Sequence, residues 1–148
     1  DTIWNEGVQI PIVILAPDRW KDGARLTPPV SAKSILPTVA DLLGYEIEGG
    51  SYDAPSLVDL TQAPGPVFTS CWDPDQCISV VTPDLKKYIH FFGYRPDEFY
   101  DLAADPFERK DLRGTLSDAQ AEDFVQQAIV WQAQTQARHE LSRRLARE

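Results

Sequence analysis

The first third of the chain contains one long apolar run followed by one amphipathic segment. Residues 8–16 (VQIPIVILA) are rich in β-branched side chains and almost continuously apolar, a pattern typical of a strand buried on both faces of a sheet. Pro11 within this run favours an edge position or a strand that begins after it. Apolar residues then recur at helical spacing between Ser34 and Gly44. We therefore predict a helix capped by Ser34, with Gly44 just past its end.

Shorter apolar runs separated by turns occupy the middle of the chain. They predict four strands, at residues 67–70, 78–82, 87–92 and 98–102. The connections between them are short, and two contain a Pro-Asp pair, at residues 83–84 and 96–97. Short connections of this chemistry favour an antiparallel meander.

The last thirty residues have the periodicity of a single long helix, predicted over 118–147. Ser117 and Gln120 have the spacing of a capping box at its start. An apolar stripe begins at Ala121 and becomes polar after Trp131. We therefore expect the helix to pack on the meander with its first half, and to run into solvent or onto a partner with its second half.

These elements predict an α+β fold in three parts. Residues 1–48 form a strand–helix unit of an α/β body, residues 49–66 form a linker, and residues 67–148 form a carboxy-terminal subdomain. In that subdomain a four-stranded antiparallel sheet is packed by the long helix. With 148 residues, the chain is long enough to bury a core of its own.

Composition and charge exclude several classes of function. Fourteen basic and 23 acidic residues give a net charge of −9, which excludes a non-specific nucleic-acid binder because phosphate contacts require a basic surface. The longest uninterrupted apolar run, residues 12–16, is far shorter than the ~20 residues of a membrane-spanning helix. The sequence has no common nucleophile, phosphate-loop or metalloprotease motif. We therefore expect no catalytic residue and no metal ligand in this chain.

Two cysteines, Cys71 and Cys77, flank a turn-forming segment. Their spacing is not that of a thioredoxin-type redox pair, and no further Cys or paired His accompanies them to form a zinc site. Two interpretations remain open, a disulfide that closes the turn or two reduced thiols. A disulfide would indicate maturation in an oxidising compartment.

Two stretches in the second half of the chain resemble motifs of the sulfatases. Residues 97–112 (DEFYDLAADPFERKDL) resemble the closing signature of that family, E-L-Y-D-L-x-x-D-P-x-E-x-x-N-L. Phe99 stands where the family has Leu, and Asp111 where it has Asn. Residues 86–89 (KKYI) match the K-Y-I strand that precedes the signature.

Two upstream stretches occur in the family's order. Residues 6–14 (EGVQIPIVI) resemble the strand E-G-x-R-V-P-L-I-I, with Gln9 in place of Arg. Residues 30–44 resemble the segment V-S…L-P-T-L-x-D-L-x-G, with Ser34 in place of Asp. By these four motifs the chain resembles the carboxy-terminal portion of the sulfatase branch of the alkaline-phosphatase superfamily.

The resemblance implies that the chain belongs to a hydrolase of sulfate (or phosphate) esters but does not hold its catalytic centre. The family's nucleophile, in a C/S-x-P-x-R motif, and its metal ligands precede the E-G-x-R-V-P strand, and residues 71–75 (CWDPD) do not match that motif. The parent enzyme would carry one divalent cation, calcium or magnesium, and a formylglycine. The implied partner is an amino-terminal catalytic body, and a homo-oligomer is left open.

Within such a parent, this part is expected to complete the fold and to wall the substrate pocket. The candidate wall residues are Trp72, Asp73, His90 and Arg95, with a structural role as the alternative for His90. Two other functions are considered: a free-standing, non-catalytic interaction domain, and the carboxy-terminal part of a membrane-anchored phospho- or phosphoethanolamine transferase of the same superfamily. The cysteine pair favours a periplasmic, secreted or otherwise extracytoplasmic location.

Overall fold

The computed structural model describes residues 3–20, 23, 25–46, 52–58, 65–73, 76–145 and 147. The elements, in chain order, are α1 (Asn5–Val8), a 3-10 turn (Ala32–Ser34), α2 (Ile35–Leu43), β1 (Val67–Ser70), β2 (Ile78–Val81), β3 (Lys86–His90), β4 (Glu98–Asp101), a second 3-10 turn (Arg113–Thr115) and α3 (Asp118–Leu145). Within these ranges, no helix has both the length and the apolar character needed to cross a membrane.

The four strands form one antiparallel sheet in the order β1-β2-β3-β4. This confirms the predicted meander, and each strand begins or ends within two residues of its predicted bounds. The register pairs Ser70 with Ile78, and Ile78 with His90. The end of β1, the start of β2 and the end of β3 therefore lie side by side.

Apolar side chains on successive strand positions point to opposite faces of the sheet. Both faces are covered. One face contributes Val80, Tyr88 and Phe99 to a cluster that packs on α3. The other contributes a second cluster that includes Ile3 from the amino-terminal segment, with Cys77, Ile89, Phe91, Tyr100 and Leu102. The sheet is thus the middle layer of the subdomain.

Helix α3 confirms both the predicted start and the predicted change of character. Ser117 Oγ accepts a hydrogen bond from Gln120 N (3.3 Å), and Gln120 Oε1 accepts one from Ser117 N (2.9 Å), which forms the capping box. Ala121 and Ala128 are buried against the sheet. Beyond residue 135 every described side chain of the helix is exposed. The first half of α3 therefore packs, and the second half extends away from the sheet.

Helix α2 ends as predicted but begins differently. Gly44 ends it in the left-handed conformation (φ 72°), and the Tyr45 N–H donates to Ala40 O (2.9 Å). The Ser34 side chain does not cap the helix. A 3-10 turn precedes the helix, so the backbone N–H groups that need a cap lie one turn earlier. There, Ser31 Oγ accepts from Lys33 N (3.3 Å), while Ser34 itself is helical and buried.

The predicted strand at residues 8–16 is not formed. Helix α1 occupies residues 5–8, and residues 9–16 adopt no regular secondary structure. Val13 is 81% exposed and Leu15 is 89% exposed. A strand needs a neighbouring strand to bond its backbone, and in the described parts of the chain residues 9–16 have no ladder partner. The apolar pattern is present, but no layer in the described parts of the chain covers it.

Candidate functional site at one end of the sheet

The four predicted pocket-wall residues all lie at one end of the sheet. The β1–β2 connection holds Trp72 and Asp73, and the β3–β4 connection follows His90 and holds Arg95. Since β2 and β3 are neighbours, and both connections leave the sheet at the same end, the two turns lie next to each other. We call this region, residues 71–73, 76–77 and 90–97, the turn end.

His90 is held at the turn end by Asp97. His90 Nδ1 lies 2.9 Å from Asp97 Oδ2, which also accepts from the Tyr88 hydroxyl (2.7 Å), while Asp97 Oδ1 accepts from Phe91 N (2.9 Å). Burial alone would raise the pKa of Asp97, but the bonds from His90, Phe91 and Tyr88 together hold it below its usual value. Burial, with the bond to Asp97, raises the pKa of Tyr88 to about 12. The carboxylate therefore stays charged and fixes the orientation of the imidazole.

Arg95 belongs to a second network, which ties the amino-terminal segment to the turn end. Its guanidinium pairs with Glu98 Oε1 and lies over the rings of Trp4 (5.3 Å to the centroid) and Phe91 (4.5 Å). Glu98 Oε2 accepts from Trp4 Nε1 (2.9 Å) and from the Tyr100 hydroxyl (2.8 Å). Arg95 thus has a structural role here, in addition to any contact with a ligand.

The two remaining candidates are on the surface. Trp72 is 91% exposed, and Asp73 is also exposed and accepts a hydrogen bond from Gln76 Nε2 (3.3 Å). The structure therefore brings the four candidates to one end of the sheet, but it holds His90 and Arg95 in separate networks and leaves Trp72 outside both. An exposed indole, an oriented imidazole and a guanidinium can offer a stacking surface and hydrogen-bond donors to a ligand.

The two cysteines close the β1–β2 turn. Cys71 and Cys77 are joined as a disulfide with their Cα atoms 5.3 Å apart, inside the usual range for such a bond. The Cys71 N–H also donates to Cys77 O (2.9 Å), which continues the ladder between β1 and β2. The turn that carries Trp72 is therefore held at its base by both a covalent and a hydrogen bond.

A buried ion pair anchors the amino-terminal segment beneath the sheet. Lys87 Nζ lies 2.7 Å from Glu108 Oε1 and donates to Ile3 O (2.7 Å), and the Asn5 N–H donates to Glu108 Oε2. The exposed fractions of the Lys87 and Glu108 side chains are 0% and 3%. Burial lowers the pKa of Lys87, and the adjacent Glu108 carboxylate opposes that shift. The sequence motifs contain both residues, but nothing in their spacing reveals that they pair.

The acidic residues of the segment that follows β4 form turns. Asp111 Oδ1 accepts from Phe99 N (3.0 Å) and Arg113 N (2.8 Å), and Asp105 Oδ2 accepts from Lys110 N (2.9 Å). Asp101 pairs with Lys86 (2.6 Å), and this contact lowers its pKa. Over the described parts of the chain, no three His, Cys, Asp or Glu side chains are grouped to hold a metal ion. The carboxylates here therefore shape the backbone, and the described residues do not fit a cation site.

Comparison with known proteins gives similarity at the level of structure. No protein-family model matches the chain, and no curated protein matches its sequence. A 2-O GAG sulfatase superposes with a TM-score of 0.49 and 21% identity, over 75% of this chain and 25% of that one. A candidate sulfatase from Bacteroides thetaiotaomicron VPI-5482 does so with a TM-score of 0.46 and 21% identity, over 74% and 24%.

The first of these structures is a sulfatase and the second is a candidate sulfatase. Sulfatases are the family that the four sequence motifs resemble. The chain spans about a quarter of the length of each of these two proteins.

Proposed function

We propose that this chain is the carboxy-terminal part of a sulfatase-like hydrolase of sulfate (or phosphate) esters. The observation that carries the proposal is the buried pair between Lys87 and Glu108. Lys87 belongs to the motif that resembles the K-Y-I strand, and Glu108 to the one that resembles the closing signature. Both contact residues 3–5, which directly precede the motif at 6–14. Two of the four motifs therefore meet at one buried point, and the residues they contact directly precede a third, as expected if the motifs belong to one fold.

In this proposal the chain supports catalysis without performing it. The nucleophile and the divalent cation, calcium or magnesium, would belong to an amino-terminal catalytic body. The chain would complete the fold, and its turn end would form part of the substrate-pocket wall. Trp72 would stack against the substrate, and His90, oriented by Asp97, would hydrogen-bond to it. The disulfide at the base of the turn favours a periplasmic or secreted location.

Exposed apolar side chains of the amino-terminal region support the need for a larger partner. We group them under the name amino-terminal apolar surface, which comprises exposed residues of two segments, Ile10, Val13, Leu15, Ile35, Leu36, Val39 and Leu43. Surfaces of this kind are covered by other protein in stable molecules. We propose that the catalytic body covers it.

The same surface favours one second candidate, a non-catalytic interaction domain that binds an unrelated protein. The two candidates differ in what precedes residue 1 in the reading frame. An upstream C/S-x-P-x-R motif with Asp metal ligands supports the hydrolase. A start codon immediately before Asp1 supports the interaction domain instead.

The test of the hydrolase proposal uses both the chain and its parent. The isolated chain is expected to show no turnover of an aryl sulfate, so turnover that tracks its concentration would contradict the proposal. In the parent enzyme, Trp72→Ala and His90→Gln are each expected to raise KM about tenfold through a lost stacking or hydrogen-bond contact. The matched control is Phe107→Ala, another exposed aromatic residue outside the turn end. Equal effects of Trp72→Ala and Phe107→Ala would reject the role of the turn end.

A further inference from the structure

A cavity of about 600 Å³ lies between α3, β1 and the two segments that precede β1. Leu57, Phe68 and Trp131 contribute to its apolar walls, together with residues 26–30. Its volume is within the range of small-molecule sites, which are concave and mostly apolar with a few polar groups. None of the four predicted pocket-wall residues lines it.

One wall of the cavity is a flat aromatic surface. The rings of Phe68 and Trp131 stack with their centroids 5.4 Å apart and their planes 10° from parallel. Both side chains line the cavity, and both residues are only partly buried. A planar apolar group entering the cavity could therefore extend this stack, an arrangement that stabilises aromatic pairs beyond the burial of area alone.

Among the described residues, the charged groups that line the cavity are predominantly cationic. Arg25, Lys33 and Arg138 line it together with Asp53, the one carboxylate that the described part of the chain contributes. Asp53 pairs with Arg138 and lies 3.9 Å from Lys33, while Arg25 has no ion-pair partner among the described residues. Counted over the described residues, the cavity therefore carries two more positive than negative side chains in a chain whose net charge is −9. Such a local concentration attracts anions.

We propose that this cavity binds a small molecule made of a planar apolar ring and one anionic group, a carboxylate or a sulfonate or sulfate. The ring stacks beside Phe68 and Trp131, and the anion lies between Arg25 and Arg138. Guanidinium groups suit this role, because they bind the oxygens of carboxylates and sulfates through paired N–H donors. The site is independent of the proposed ester hydrolysis and requires no reaction.

The test measures binding of three naphthalene compounds to the whole chain by calorimetry. The anions 2-naphthalenesulfonate and 2-naphthoate separate the two classes of anionic group, and neutral 2-naphthalenemethanol has the same ring without the charge. At least one anion is expected to bind about tenfold more tightly than the neutral compound, the effect of one charge-assisted hydrogen bond. Arg25→Gln and Arg138→Gln are each expected to weaken anion binding about tenfold.

The matched control is Arg143→Gln, an exposed arginine on the same helix that does not line the cavity, and it is expected to leave binding unchanged. Equal affinity for the neutral compound, equal losses for Arg138→Gln and Arg143→Gln, or no binding of either anion at millimolar concentration would each overturn the proposal. Amide chemical shifts locate the ligand. Shifts around Trp131 and Thr135 support the cavity, and shifts confined to α2 would mean that the ring only adheres to the amino-terminal apolar surface.

Discussion

The carboxy-terminal subdomain and the amino-terminal region have comparable apolar patterns but opposite outcomes. In the sheet, Ile78, Val80 and Ile89 are fully buried. In the amino-terminal region, Val13 and Leu15 are largely exposed, and Leu36 and Leu43 of α2 are 65% and 62% exposed. The sheet lies between α3 and the segment around Ile3, whereas residues 9–15 have no covering layer in the described chain.

This difference separates two kinds of information in a sequence. An apolar run indicates that burial of its side chains is favourable, because burial removes apolar surface from water. It does not state which element provides the cover. The sheet is covered within the chain, by helix α3 on one face and by the segment around Ile3 on the other. The described amino-terminal region contains no such cover, and this is the basis of the proposed catalytic body.

The largest effect is expected from breaking the buried ion pair between Lys87 and Glu108, the anchor of the amino-terminal segment. Glu108→Gln leaves the Lys87 ammonium buried without its counter-ion, so the free energy of unfolding should fall by about 3–5 kcal/mol. Urea denaturation of the isolated chain measures it. The control is Asp101→Asn, which breaks the solvent-accessible pair with Lys86 and should cost much less. Similar losses in the two variants would show that burial of the anchor is unimportant.

A second test distinguishes the packed side of α3 from its outer side. Phe124 stacks on Tyr88 with ring centroids 5.2 Å apart and also contacts Phe99, so Phe124→Ala should cost about 2–4 kcal/mol. Ile129 on the same helix is 39% exposed, and Ile129→Ala should cost less than about 1 kcal/mol. Thermal unfolding of both variants measures the difference. If the two losses were the same, α3 would not be docked as described.

The disulfide is expected to contribute about 2–3 kcal/mol to the subdomain, because it closes a short loop in the unfolded chain. Replacing both Cys71 and Cys77 by Ser should lower the urea midpoint accordingly. Intact mass under denaturing conditions should increase by the mass of two hydrogens on reduction. If both thiols of the unfolded, unreduced protein react with a maleimide, the bond is absent and the proposed location loses its support.

At the turn end we expect a smaller stabilising effect, which is lost only at acidic pH. The pKa of Asp97 is below its usual value in the folded chain, so its stabilising effect is complete above the unfolded pKa of about 3.9 and is lost as the pH falls through the folded value. The difference in stability between wild type and Asp97→Asn should therefore be constant near neutral pH and narrow below about pH 4. A difference that stays constant down to pH 2 would contradict this assignment.

The smallest effect on stability is expected in the amino-terminal region. Val13→Asp and Leu15→Asp change side chains that are already exposed, so each should alter the unfolding free energy of the isolated chain by less than about 0.5 kcal/mol. In the parent enzyme the same substitutions should abolish assembly with the catalytic body, measured as loss of soluble, active protein. Full activity of both variants would mean that this surface is not an internal interface.

The parts of the fold that were predictable are those determined by neighbouring residues. The four strands lie between turn-forming pairs, and Ser117 with Gln120 marks the start of α3. Because the turns of a meander alternate between the two ends of the sheet, the first and third turns lie at the same end, which places Trp72 and Arg95 together. The first cap of α2 was missed because a 3-10 turn moves it from Ser34 to Ser31.

The parts that were not predictable depend on contacts between distant residues. The strand expected at residues 8–16 requires a neighbouring strand that no local pattern can specify. Lys87 and Glu108 were both visible in motifs, but their pairing depends on how the chain turns after β4. At the turn end, the role of Asp97 was hidden because an acid after Pro96 is equally typical of an ordinary turn.

The hydrogen bond from Lys87 Nζ to Ile3 O, which belongs to the same anchor, also affects where the chain can vary in length. It joins residues 84 positions apart and so closes one large loop, which contains α1, α2, β1 and β2. The entropy of closing a loop grows only with the logarithm of its length, about 0.6 kcal/mol for each doubling. Insertions or deletions of many residues between the anchor and β1 should therefore cost little, whereas the compact meander tolerates few. Length variation among proteins that share this subdomain is accordingly expected before β1.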